Sequence, residues 1–127
     1  MSAESGSTTD ASYAPDAGDL IWTDFDPRVG RGQSGRRPAL VISPRPFFDV
    51  SRFAIVCPIT RTIRNFGSSV VLAASLPIAG EVLTSHVRSI DTIARPIRFA
   101  GAVVPGDLLE EVRAKLAILC GIEVFSR

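Results

Sequence analysis

The apolar residues of this chain come in short runs cut by proline and glycine, and a stretch near the C-terminus repeats them at helical spacing. Residues 38–43 (PALVIS) and 52–59 (RFAIVCPI) are apolar at consecutive positions, the pattern of strands covered on both faces. Residues 18–25 (GDLIWTDF) read as a strand that ends at the Asp26-Pro27 turn signal, and 70–72, 80–83 and 87–93 read as shorter strands. Residues 44–49, with two prolines, read as a connector. From Pro105 to about Cys120, Leu108, Leu109, Val112, Leu116 and Leu119 make one apolar stripe, which predicts a helix. Pro105 suits its first position, the carboxylates Asp107, Glu110 and Glu111 suit its positive end, and Gly121 suits its stop. The expected fold is mainly β, several short strands closing into a small sheet or barrel, with one C-terminal helix packed against it.

At 127 residues, 46% of them hydrophobic, the chain is sized for one compact domain with a real core. Residues 1–17 contain no Leu, Ile, Val or Phe, so they cannot bury enough surface to offset their ordering entropy. They are expected to be a flexible acidic tail, with a folded domain at 18–121 and a short C-terminal tail at 122–127. Cys57 and Cys120 lie in apolar runs without metal-ligand spacing, and neither a secretory signal nor an 18-residue apolar span is present. A cytoplasmic protein with no membrane contact and no metal or other cofactor is the expectation.

The net charge of +1 argues against a nucleic-acid partner until it is divided along the chain. Residues 1–26 carry six acids and no base, and residues 81–127 carry six of each. Residues 27–80 carry eight arginines and one acid, Asp49. Six of the eight arginines cluster in two loops, 28–37 and 60–68, that flank the consecutive apolar runs. Such clustering suits a polyanion.

Residues 18–44, GDLIWTDFDPRVGRGQSGRRPALVISP, resemble the opening of the MazF/PemK toxins, the mRNA interferases of type II toxin–antitoxin systems. The resemblance lies in the GD(L/I)(W/Y) strand, the Asp-Pro turn and a G-x-x-Q-x-G-x-R-P loop, here Gly30 to Pro38. It continues through Pro58-Ile59-Thr60, Arg88-Ser89-Ile90-Asp91 and the terminal helix, and so covers nearly all of residues 18–121. It implies the SH3-like small β-barrel of the CcdB/PemK/MazF toxins and a homodimer. It also implies metal-independent cleavage of single-stranded RNA by 2′-hydroxyl attack, leaving a 2′,3′-cyclic phosphate and a 5′-hydroxyl. The implied partner is a MazE-like antitoxin whose extended tail occupies the RNA groove.

By the family motif, Arg37 and Thr60 are the implied catalytic pair. A guanidinium is a permanently charged, planar donor fork for phosphate oxygens, and a threonine hydroxyl can hold the scissile phosphate in place. Two departures bear on proton transfer: Gly32 stands where many members have Glu, and Ser85-His86 where many have Asp-Gln. Ser85 cannot serve as an ionised base. His86, the only histidine, is either an ordinary exposed or structural residue or a general base or stacking contact in the groove. Arg28, Arg31, Arg36, Arg61 and Arg64 are expected to track RNA phosphates, with Gln33 hydrogen-bonding a base or sugar, or simply bracing its loop. Phe66 is the favoured stacking residue over Phe47 and Phe48; Phe53 is expected in the core, and Trp22 in packing or a dimer contact.

The competing reading is a non-enzymatic CcdB-like toxin that binds a protein target such as DNA gyrase. Those proteins act through a C-terminal Trp-Gly-Ile, whereas this chain has Cys120-Gly121-Ile122. A peptide-binding adaptor of the same fold would need an aromatic groove, which one Trp and one Tyr supply poorly.

Overall fold

The computed structural model describes residues 12–25 and 36–123. Seven strands, all paired antiparallel, and two helices follow in the order β1 (Asp19–Asp24), β2 (Arg36–Val41), α1 (Arg45–Ser51), β3 (Phe53–Thr60), β4 (Val70–Val71), β5 (Glu81–Val82), β6 (Arg88–Asp91), β7 (Ile97–Val103) and α2 (Gly106–Leu119). The strand order is β4-β5-β3-β2-β1-β7, with β6 also on β3. β3 organises the sheet. One of its edges pairs with β2, and the other is divided between β6 along residues 53–56 and β5 at Ile59 and Thr60.

Strands β1, β2 and β3 separate two apolar clusters, the physical reason their sequences are apolar at consecutive positions. Leu20, Leu40, Cys57 and Ile59 face one cluster, which Val112 of α2 enters with Leu108, Leu109 and Leu116 beside it. Ile21, Ala39, Val41, Ala54, Val56, Ile90 and Ile97 form the other. Burial among these groups pushes the Cys57 thiol up to about 12, so it acts as a small apolar side chain. The expected mainly β fold with a C-terminal helix is what the chain adopts.

α2 follows the sequence closely, one residue shifted at its start: Pro105 is the N-cap, in extended conformation, and Gly106 is the first helical residue. Its stop is a Schellman motif. Gly121 (φ 71) donates to the Ile118 carbonyl at 3.0 Å and Ile122 to the Ala117 carbonyl at 2.8 Å. Leu119 leaves the apolar stripe and is exposed.

Four features depart from the sequence reading. Residues 45–51 are helical rather than a connector. Pro44 caps α1 and Pro46 sits in its first turn, where a missing N–H leaves no intrahelical bond unmade, and Arg52 closes it in the left-handed region (φ 65). β7 was not anticipated, because its small residues Ala100, Gly101 and Ala102 carry little apolar signal; its pairing with β1 makes it a strand. Phe53, expected in the core, is exposed at the mouth of β3. Finally, residues 13–16, ahead of Gly18, pack on the domain. Pro15 is fully buried, Tyr13 packs on Phe99 and donates to Asp19, and Asp16 accepts from the Arg45 amide at 2.9 Å. Burial, with hydrogen bonding to the Asp19 carboxylate next, pushes the Tyr13 phenol far up. Tyr13 and Pro15 thus supply the apolar contact that counting Leu, Ile, Val and Phe overlooked.

Candidate nucleic-acid interface

Strand register brings the two motif residues together. In the β2–β3 ladder Ala39 is the partner of Pro58. Arg37 lies two residues before Ala39 and Thr60 two residues after Pro58, so alternation carries both side chains to the same face at the end of that ladder. Both line a cleft of about 800 Å³. Arg36, Arg61 and Arg88 join Arg37 there, making four guanidiniums, and no carboxylate is among the described residues of the wall. Trp22 and Phe25 of the β1 end contribute aromatic surface, with the Arg88 guanidinium 5.1 Å from the Phe25 ring centre. Pro38 and Pro58, near Arg37 and Thr60, add apolar surface to the wall. A concave site with convergent fixed positive charge and π-surface is suited to a phosphate backbone carrying unpaired bases.

Thr60 is held from two sides. Its Oγ1 accepts from the Thr62 amide at 3.3 Å, and its Cα faces Glu81 across the β3–β5 ladder. Gly80 brings β5 against it so closely that a Cβ at Gly80 would lie 2.2 Å from the Thr60 carbonyl oxygen.

Glu81, across the ladder from Thr60, is a buried acid that the sequence reading did not single out. It is 1% exposed, and its carboxylate accepts from the Arg64 amide at 3.0 Å, the Asn65 amide at 2.9 Å and the Ser69 hydroxyl at 2.6 Å. A charge in a short apolar strand, Gly-Glu-Val-Leu, was the available signal. The Arg64 amide first, then the Ser69 hydroxyl, hold its carboxyl below the usual Glu range, against the opposing effect of burial; the Asn65 amide and the Arg64 charge add to the lowering. Its folded-state value is therefore below its unfolded one. The stability it contributes is present above the ordinary Glu value and is lost as pH falls through the depressed one. Acid titration of unfolding should show Glu81→Gln losing less stability than the parent chain over that window.

The remaining sequence candidates distribute unevenly. Arg64 and Phe66 are exposed on the loop of residues 61–69, outside the residues that line the cleft. Phe48 is buried in α1, Phe47 is half-buried, and Trp22 is on the cleft wall. His86 is exposed at the end of a 3-10 turn, Thr84–His86, that packs on α2 and β3. It is not among the residues that line the cleft. Arg28, Arg31 and Gln33 lie outside the described residues. No helix among the described residues is long and apolar enough to cross a membrane.

Known proteins resemble this chain in sequence and fold. The endoribonuclease toxin MazF of Escherichia coli (strain K12) is 38% identical over 109 residues, covering 86% of this chain and 96% of that one. A crystal structure of MazF from Deinococcus radiodurans superposes with a TM-score of 0.78 at 42% identity, covering 87% of this chain and 100% of that chain. A MazE-MazF crystal structure from the same organism matches with a TM-score of 0.77 at 40% identity, over 88% of this chain and 100% of that chain. The family model that matches residues 16–120 is described as PemK-like, MazF-like toxin of type II toxin-antitoxin system. With that family model spanning residues 16–120 and a MazF relative 38% identical over most of both chains, the chain belongs to the PemK-like, MazF-like toxins.

Proposed function

We propose that this protein is an endoribonuclease toxin that cuts single-stranded RNA and is silenced by a cognate MazE-like antitoxin. The cleft carries the reading: four guanidiniums, two aromatic rings and a strand-end threonine converge on one concave surface without a described carboxylate. A toxin aimed at a protein target has no evident use for that much concentrated positive charge. The RNA substrate favours the cytoplasm as its place of action. A homodimer is the expected active form, and the exposed Ile118, Leu119 and Ile122 at the end of α2 offer apolar surface for subunit contact.

The reaction attacks the scissile phosphorus with the adjacent ribose 2′-oxygen. A bond from O2′ to phosphorus forms, the bond from phosphorus to O5′ breaks, the 2′-hydroxyl proton passes to water, and O5′ takes up one proton from solvent, so protons balance. The products are a 2′,3′-cyclic phosphate and a 5′-hydroxyl. Negative charge grows on the non-bridging oxygens at the transition state, where Arg37 offers paired N–H donors. Arg37 is also the hydrogen-bond donor toward the departing O5′. Thr60, with its position set by β5, hydrogen-bonds the phosphate and keeps the attack in line. Arg36, Arg61 and Arg88 hold neighbouring phosphates.

The test is incubation of the purified protein with a long RNA in EDTA, read by primer extension. Clustered cuts at a short motif are expected; intact RNA across a wide enzyme titration would refute the reading. Each phosphate neutralised by the cleft should contribute about 0.7 to the slope of log affinity against log salt, so four contacts predict a slope of roughly −3. A salt-independent KM would exclude the cleft as the binding surface. Since His86 is outside the cleft wall, His86→Gln is expected to leave the cleavage rate and its pH profile within about twofold of the parent.

A further inference from the structure

The loop that leaves the cleft, residues 61–69, places Arg61 and Thr62 on the wall and projects Arg64 and Phe66 outward, all of them exposed. A surface loop of this length ordinarily samples many shapes and loses that freedom when it meets a ligand. This loop is instead held from beneath. Asn65 is in the left-handed region (φ 56), and the consecutive amides of Arg64 and Asn65 both donate to the buried Glu81 carboxylate, the arrangement of an anion nest whose anion is a side chain of the same protein. Ser69 closes the other end, its hydroxyl on Glu81 at 2.6 Å and its carbonyl accepting from Lys115 Nζ of α2 at 2.9 Å. Lys115 in turn pairs with Glu111 at 3.3 Å.

Glu81 also stands directly across from Thr60. Its neighbours in the ladder, Ile59 and Val82, are buried and apolar, so a valine there would complete the sheet without desolvating a charge. What the carboxylate adds, and an apolar residue would not, is a defined shape for the loop.

We propose that Glu81 is a positioning residue that holds loop 61–69 in the shape that reads RNA next to the scissile phosphate, and so governs substrate affinity and choice of cutting site. This rests on the endoribonuclease reading above. Arg37 and Thr60 act on the phosphate itself; Glu81 acts on which RNA segment is presented to them.

Glu81→Gln keeps the size but places an NH2 among three converging donors, so at least one loop donor loses its partner. Expected results are a KM for long RNA at least tenfold higher, kcat at saturating RNA within about threefold, and cuts spread over more sites in primer extension. Amide exchange at Arg64 and Asn65 should quicken at least tenfold. Ser69→Ala removes one donor, leaves the carboxylate in place and should move KM and the cut pattern in the same direction by less. A folded Glu81→Gln with the parental KM and cut pattern overturns the proposal, as does a fall in kcat at unchanged KM. Should Glu81→Gln not fold, Ser69→Ala decides: faster exchange with an unaltered cut pattern and KM overturns it equally. If the parent chain itself leaves RNA intact, the ribonuclease reading fails, while amide exchange still reports separately whether Glu81 shapes the loop.

Discussion

Arg37→Ala is expected to lower kcat for RNA cleavage by about two to three orders of magnitude, the size of effect seen when one preorganised donor to a developing oxyanion is removed. KM should rise only a few-fold, because Arg36, Arg61 and Arg88 still offer positive charge to the neighbouring phosphates. The asymmetry distinguishes a group that acts in the transition state from one that merely attracts RNA. Arg61→Ala, on the same wall, should show the opposite pattern, with a raised KM, a shallower salt slope and kcat nearly intact. Arg37→Lys keeps the charge but lacks the planar fork that can engage two phosphate oxygens at once, so rescue should be partial at best. Thermal unfolding of Arg37→Ala should match the parent, since the side chain is exposed. Equal loss of kcat from Arg37→Ala and Arg61→Ala would mean that the cleft works by diffuse attraction alone.

Gly80→Ala is expected to be the most damaging alanine substitution among the described glycines. Gly80 has φ +138, where L side chains are strained, and the added Cβ would sit 2.2 Å from the Thr60 carbonyl oxygen and 3.0 Å from its carbon. Neither atom belongs to a flexible side chain, so relief requires β5 to move away from β3. Backbone strain and overpacking together suggest a loss of roughly 3 kcal/mol, or about 10 °C in melting temperature for a domain of this size. Whatever folds should have lost activity beyond its loss of stability, because the strand that must shift is the one that backs Thr60 and carries Glu81. Gly106→Ala is the control: nothing lies within 4 Å of its Cβ, and at the first position of α2 alanine should be neutral or slightly stabilising. Calorimetry of the two variants beside the parent checks the contrast, and a melting temperature for Gly80→Ala within 2 °C of the control would contradict the close approach.

The parts of the fold that were legible in the sequence are those in which local pattern and tertiary burial agree. PALVIS and FAIVCPI are apolar on consecutive positions because β2 and β3 separate two clusters, and the Leu108–Leu116 stripe is apolar because one side of α2 lies on the first of them. α1 was hidden because its prolines occupy the cap and first turn, where they do no harm but look like breakers. β7 was hidden because pairing to β1, rather than its own side chains, makes it a strand. Phe53 and Leu119 show the reverse error: both fit the apolar period of their element, yet each lies where that element runs past the core.

For the site, the sequence by itself determined the chemical inventory: an arginine beside proline in a basic, acid-poor segment, a threonine closing an apolar strand, and a single histidine. Charge along the chain and motif order are one-dimensional properties, so they can be read without coordinates. Tertiary structure alone decided which of these groups meet. Antiparallel register carries Arg37 and Thr60 to one face across a gap of 23 residues, the turn after β5 leaves His86 outside the cleft, and Glu81, an unremarked acid in the sequence, becomes the buried centre of the loop beside it. The physical reason is that hydrogen-bond pairing between strands, and the burial that it enforces, couple residues distant in sequence, and no local spacing encodes that coupling.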